Sequence, residues 1–291
     1  MKNKFLSVLA AFGMVVSATY AQDEPMTNKN GQAIMPVAGD IGLGFNAVPL
    51  LNFVGNSFNG NTNNTYAGSN RFVSNFNDNA IFGKYMIADD AAIRMHLRIA
   101  GTRASLNNSV FDDTRNSPDS LVSDKLVINN SLYILGSGYE MRRGKGRVRG
   151  IFGAEAFVGY GRPDQRRYSY GNAFGLLNPA PTSTDWDAQG GVNSEAATAE
   201  RMVSRLGGSQ FTVGVRPFIG IEYFFAPRIS IGSEFGWGIS YNRFGRANNT
   251  YEAFESSTGN VINRTEKSDV SHVTAVDTDN FNGALFLMFY F

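Results

Sequence analysis

Oily and polar side chains alternate with a period of two in eight separate stretches of this chain. Successive side chains of a β-strand point to opposite faces, so each stretch reads as a ribbon with one apolar side. The plainest is Arg228–Arg243, where Ile229, Ile231, Phe235, Trp237, Ile239 and Tyr241 share one face. Ser230, Gly232, Glu234, Gly236, Gly238 and Ser240 share the other. Gln210–Phe224, Ala91–Arg103 and Arg147–Gly161 repeat the pattern, and Asp40–Ala47 and Asn79–Ala88 carry shorter versions of it. Lys125–Met141 is strand-like but its facing is open, because Leu126, Ile128, Leu132 and Ile134 compete with Val127, Tyr133, Leu135 and Tyr139. Asn280–Phe291 is the eighth segment. The expected fold class is all-β.

The connections between segments add a second regularity. Asp89-Asp90, residues 142–146 and Phe225-Ala226-Pro227 are short, whereas residues 48–78, 104–124, 162–209 and 244–279 are long, and the two kinds alternate. A secreted β-sandwich also alternates, but six of these segments reach at least 12 residues, and soluble strands peak near five or six. A tilted strand of about 9–11 residues crosses a bilayer, and in lipid the sheet must close because an open edge leaves backbone groups unpaired. The expectation is an eight-stranded antiparallel transmembrane β-barrel over residues 38–291, with short periplasmic turns and long extracellular loops.

Residues 1–21 read as an export signal, with Lys2 and Lys4 ahead of the apolar stretch Phe5–Val16 and small residues at Thr19 and Ala21. The reading therefore expects a signal peptide at 1–21, a flexible periplasmic tail at 22–37, and residence in the outer membrane of a Gram-negative cell. Without Lys2 and Lys4 the balance is 24 bases against 25 acids, which argues against a nucleic-acid partner. The chain has no Cys, so disulfides and Cys-ligated metals are ruled out.

The end of the chain, Phe281-Asn282-Gly283-Ala284-Leu285-Phe286-Leu287-Met288-Phe289-Tyr290-Phe291, resembles the C-terminal signal of outer-membrane barrels, with Phe289 and Phe291 in the recognised positions. That resemblance implies handling by the barrel-assembly machinery. The eight-strand layout resembles small OmpA- and OmpX-type barrels. Gly39-Asp40-Ile41-Gly42-Leu43-Gly44-Phe45 with Pro49-Leu50-Leu51-Asn52-Phe53 is similar to first-strand segments of Bacteroidota barrels. The full-length OmpA pattern adds a peptidoglycan-binding domain after its barrel; this chain ends within its last strand, so a cell-wall tether is not implied. Asp119-Ser120-Leu121 resembles the O-glycosylation pattern of the same phylum and marks Ser120, although so short a pattern recurs by chance and the residues favour a plain loop.

An eight-stranded barrel is filled by its own side chains. Asp40, Lys84, Arg94, His96, Arg98, Arg149, Glu155, Arg216, Glu222 and Glu234 are expected to face inward and to form a charge network, because isolated buried charges are costly. A narrow small-solute channel is the alternative. An outer-membrane lipid hydrolase is a second alternative, resting on His272 beside Ser271 and near Asp269, but converging Ser–His–acid geometry is not implied by neighbours on one strand or turn. The chain is read as a non-enzyme without cofactor or metal site, since Asp277-Thr278-Asp279-Asn280 lacks the rest of a calcium loop. Arg166, Arg167, Tyr168, Tyr170 and Trp186 in the third long connection suit a binding surface, with arginines placed for lipopolysaccharide phosphates; the same tyrosines also fit an aromatic girdle. The apolar run 47–54 suits a mouth cap, an interfacial segment or a contact with an outer-membrane partner. The expected role is structural or interactive, with loops used for adhesion or for docking into an outer-membrane complex.

Overall fold

The structure, a computed structural model, describes residues 26–47, 81–115, 117, 119–187, 195–278 and 284–291. The expected signal peptide and most of the apolar run 47–54 lie outside them. All regular structure is β: β1 Ile41–Asn46, β2 Ile81–Ala88, β3 Ala91–Phe111, β4 Leu121–Arg143, β5 Val148–Ser169, β6 Thr182–Thr184, β7 Glu195–Ala197, β8 Glu200–Leu206, β9 Gln210–Ala226, β10 Ile229–Phe244, β11 Asn248–Glu255, β12 Asn260–Lys267, β13 Ser271–Thr278 and β14 Ala284–Tyr290.

Eight of these strands form a closed antiparallel ring, in the order β1-β2-β3-β4-β5-β9-β10-β14 and back to β1. The seam between first and last strands runs from Gly42 opposite Tyr290 to Asn46 opposite Phe286. Ile41 and Phe291 exchange backbone hydrogen bonds of 3.2 and 2.9 Å at its end. Side-chain alternation then sorts the two faces. Ile41, Ile81, Tyr85, Met95, Leu97, Leu135, Val158, Val215, Ile219 and Ile239 are exposed on the outside. Phe82, Met86, Phe157, Phe218, Phe224, Phe286 and Met288 are buried inside. The open facing of β4 resolves with Ile134 inside and Tyr133, Leu135 and Tyr139 outside.

Two expectations are corrected. Residues 26–37 of the expected flexible tail are folded. They turn back on themselves through Gly31 (φ 76°), pair Thr27 with Ala33, and drive Ile34 into the apolar floor of the ring beside Phe82, Met86, Ile151, Phe224, Phe286 and Met288. Backbone bonds fix the plug: Arg228 N donates to the Ile34 carbonyl (3.0 Å) and Gly39 N to that of Met86 (2.7 Å). An apolar residue facing an apolar opening explains why this stretch orders.

The long connections are also more regular than expected. Strands β3 and β4 continue as one hairpin to Phe111 and Leu121, which absorbs most of 104–124. Strand β5 runs on to Ser169 and pairs there with β8, which pairs with β11, which pairs with β12. Ladder bonds continue beyond the ring because pairing satisfies backbone amides and carbonyls whatever the side chains are.

Candidate functional site

The interior of the ring holds a plate of charges. Lys84, Arg94, Glu155, Arg216, Glu222 and Glu234 are each no more than 3% exposed, as are His96, Glu140 and Arg142. Strands of the ring deliver them at alternate positions: Lys84 from β2, Arg94 and His96 from β3, Glu140 and Arg142 from β4, Glu155 from β5, Arg216 and Glu222 from β9, Glu234 from β10. Inward glycines make the room. A Cβ at Gly236 would collide with the Arg216 guanidinium, and one at Gly138 would lie 2.6 Å from the Glu155 side chain.

Each acid meets more than one base. Lys84 Nζ lies 2.9 Å from Glu140 and 3.4 Å from Glu222. Arg142 donates to Glu222 at 2.7 Å, and Tyr290 Oη donates to the same carboxylate at 2.8 Å. Arg94 bonds Glu234 at 2.8 Å, and Arg216 bridges Glu234 at 2.8 Å and Glu155 at 3.1 Å. His96 Nε2 closes on Glu155 at 2.9 Å. Arg94 also lies over the Phe218 ring at 4.0 Å. Lys84, Arg94, Arg142 and Arg216 face Glu140, Glu155, Glu222 and Glu234, four bases against four acids. Such a plate is sound only when complete, since removing one member strands a buried charge.

The other expected members lie elsewhere. Asp40 sits at the turn end of the ring, where it accepts from Val37 N (3.0 Å) and pairs with Arg228 (3.3 Å). Arg149 is half-buried beside the β4–β5 turn and donates to the Gly144 carbonyl. Arg98 is half-buried one alternation above His96. Glu140 and Arg142 were not anticipated; their spacing with Gly136 and Gly138 was visible, but the double apolar pattern of β4 left its inward face undecided.

Above the plate an open cleft of 270 Å³ is lined by Ala100, Thr102, Asn130, Leu132, Pro163 and Gln210. Beyond it the loops form a cap whose carboxylates bind backbone. Asp124 is fully buried and accepts from Gly171 N (2.8 Å), Thr184 N (2.6 Å) and Thr184 Oγ1 (2.9 Å). Asp113 accepts from Thr182 N (2.7 Å) and Asn178 (2.8 Å). Asp112 accepts from Thr114 Oγ1 (2.6 Å) and Thr114 N (2.9 Å), which hold its carboxyl below the usual range. Ser120 donates to the same carboxylate at 3.1 Å and is half-buried.

The aromatic loop residues pack into this cap. Tyr168 is 7% exposed and stacks on Tyr170 with centroids 6.4 Å apart. Burial pushes the Tyr170 phenol up, and its hydroxyl donates to the Met202 carbonyl. Arg201 lies over Tyr170 at 4.2 Å and over Phe174 at 4.7 Å, and bonds Glu252 at 2.7 Å. Trp186 is half-buried, Arg166 pairs with Asp164, and Arg167 remains exposed. Phe289 is half-buried edge-on to Phe45 at 6.4 Å, and Phe291 is exposed. His272 bonds its Nδ1 to the Tyr241 hydroxyl and stacks on that ring. Among the described residues no group of His, Cys, Asp and Glu is arranged to hold a metal. Compared with protein-family models, curated proteins and solved structures, the chain matches none of them.

Proposed function

We propose that this protein is an eight-stranded outer-membrane β-barrel with a structural or interaction role, plugged along its axis and carrying its working surface on its loops. The observation that carries the reading is the contrast across the ring wall: large aliphatic and aromatic side chains exposed outside, and a complete set of ion pairs buried inside. An oily exterior of this extent is stable against acyl chains and unstable in water. Export by a signal peptide, a Gram-negative outer membrane of the Bacteroidota kind and assembly by the barrel machinery belong to the same proposal, supported by the sequence features at both ends of the chain. Lipid and lipopolysaccharide are then the surroundings of the wall, and the exposed loop residues, Arg167 among them, are the surface offered to a partner.

A conducting pore would need an aqueous path past the charge plate and past Ile34, and the burial of both supports the plugged reading. A lipid hydrolase would need a serine and a carboxylate converging on its histidine, whereas the Nδ1 of His272 meets the Tyr241 hydroxyl in place of an acid. Purified protein in planar bilayers is expected to give no large, stable openings. Regular unitary conductance from the purified chain would contradict the plugged reading and establish the channel.

A further inference from the structure

We infer that β12 is a docking edge for β12 of a second copy of this chain, the two strands pairing antiparallel about Thr265. The inference rests on the reading of the loops as an interaction surface. Strand β12 pairs with β11 over all eight of its residues without a bulge, and no strand lies on its other side among the described residues. Every side chain of β12 is exposed. A regular strand edge presents a row of unpaired backbone donors and acceptors, and only another extended chain matches that spacing.

The order of charges selects the occupant. In an antiparallel pair, residues directly opposite point to the same face and interact. Centred on Thr265, the pairing sets Arg264 of one copy against Glu266 of the other, and repeats this on the far side of the two-fold axis. Within one chain Arg264 already bonds Glu266 and Glu200, so in the pair the four charges of Arg264 and Glu266 alternate in sign around a square. Thr265 meets itself and Asn263 meets Lys267. Centring one residue earlier sets Arg264 against Arg264, and one later sets Glu266 against Glu266; both are repulsive. Val261 and Ile262 continue the exposed edge towards the turn at Gly259. A self-complementary patch of this kind is what a two-fold dimer requires. Its area is small, so the pairing is weak in dilute solution and is sustained by the high local concentration of a membrane-bound protein.

The absence of native Cys makes the test clean. Thr265→Cys is expected to give a disulfide-linked dimer in isolated membranes under mild oxidation, while Ser257→Cys, in the β11–β12 turn, stays monomeric. Adding Arg264→Glu should lower the dimer fraction about tenfold, because both charge pairs turn repulsive, and adding Glu266→Arg as well should restore it. Differently tagged copies, co-expressed or mixed as two cell populations, separate pairing within one membrane from pairing between facing membranes, and a crosslink in either supports the inference. It is overturned if the Thr265→Cys protein crosslinks no more than the Ser257→Cys protein, if charge reversal has no effect, or if the thiol introduced by Thr265→Cys crosslinks to a different protein instead. A chain that is lipid-embedded and non-conducting but monomeric at this edge would remove only the dimer; a chain whose wall does not meet lipid would remove the barrel reading itself.

Discussion

The inside of the ring and the cap above it bury carboxylates by opposite means. In the ring, Glu140, Glu155, Glu222 and Glu234 meet cationic side chains delivered by other strands. In the cap, Asp113 and Asp124 meet backbone N–H groups and neutral side chains of the loops they organise. A closed wall of paired strands has no spare amide to offer, so an interior acid needs a base. A loop that leaves the ladder has orphan amides, and an acid there replaces the missing strand partner. The first arrangement fixes strands that are already paired; the second gives irregular chain its shape.

That difference can be broken at four places. Glu222→Ala should have the largest effect, because it leaves four buried bases to three acids, with Lys84 and Arg142 sharing Glu140; loss of about 3–5 kcal/mol is expected, read from urea unfolding of the folded protein in detergent micelles. The double change Lys84→Met with Glu222→Met should cost less than Glu222→Ala alone, which a solvent-exposed pair would not show. Ile34→Ala comes next, with about 2–4 kcal/mol lost from docking of the plug. Limited proteolysis should then cut near residues 26–38 while the ring stays intact. Asp124→Ala should cost about 1–3 kcal/mol within the cap, visible as faster amide exchange at Gly171 and Thr184 and unchanged ring unfolding.

The smallest expected effect is that of pH on Asp112. Its folded-state pKa is lowered from 3.8 by bonds from Thr114. Its contribution is therefore full above that unfolded value and disappears as pH falls through the lowered one. Protection of the Thr114 amide should fall only in that acid window, and Asp112→Asn should remove the pH step.

The same contrast explains what could be read in advance. Alternation places Lys84, Arg94, Glu155, Arg216, Glu222 and Glu234 on one face of their strands, and a ring converts one face into one interior, so their meeting was legible without coordinates. Asp40 obeys the same alternation but sits at the end of its strand, where tail and turn compete for it. Glu140 and Arg142 were hidden because β4 has apolar residues on both faces near its middle, and only the neighbours decide which side is in. The backbone-bound acids do not announce their partners: Asp113 lies off any strand, and Asp124 sits on the inward face of β4, but what they bind are amides, which every residue except proline supplies. Tyr168 and Tyr170 read as surface because loops are usually outside, yet this loop is thick enough to have an interior of its own. The Ile34 plug was illegible for a related reason: the short apolar run Ala33-Ile34-Met35-Pro36-Val37 has no alternation to mark which residue turns inward.

The two tryptophans allow the central claim to be measured directly. Trp237 is exposed on the outer face of β10, whereas Trp186 lies in the cap. In Trp186→Phe protein reconstituted in vesicles, the remaining Trp237 emission should be strongly quenched by lipids brominated on their acyl chains and little affected by aqueous iodide. In Trp237→Phe protein the acyl-chain bromines should leave Trp186 unquenched. Trp237 emission quenched by iodide and indifferent to brominated lipid would mean that the outer face of the ring does not meet a bilayer.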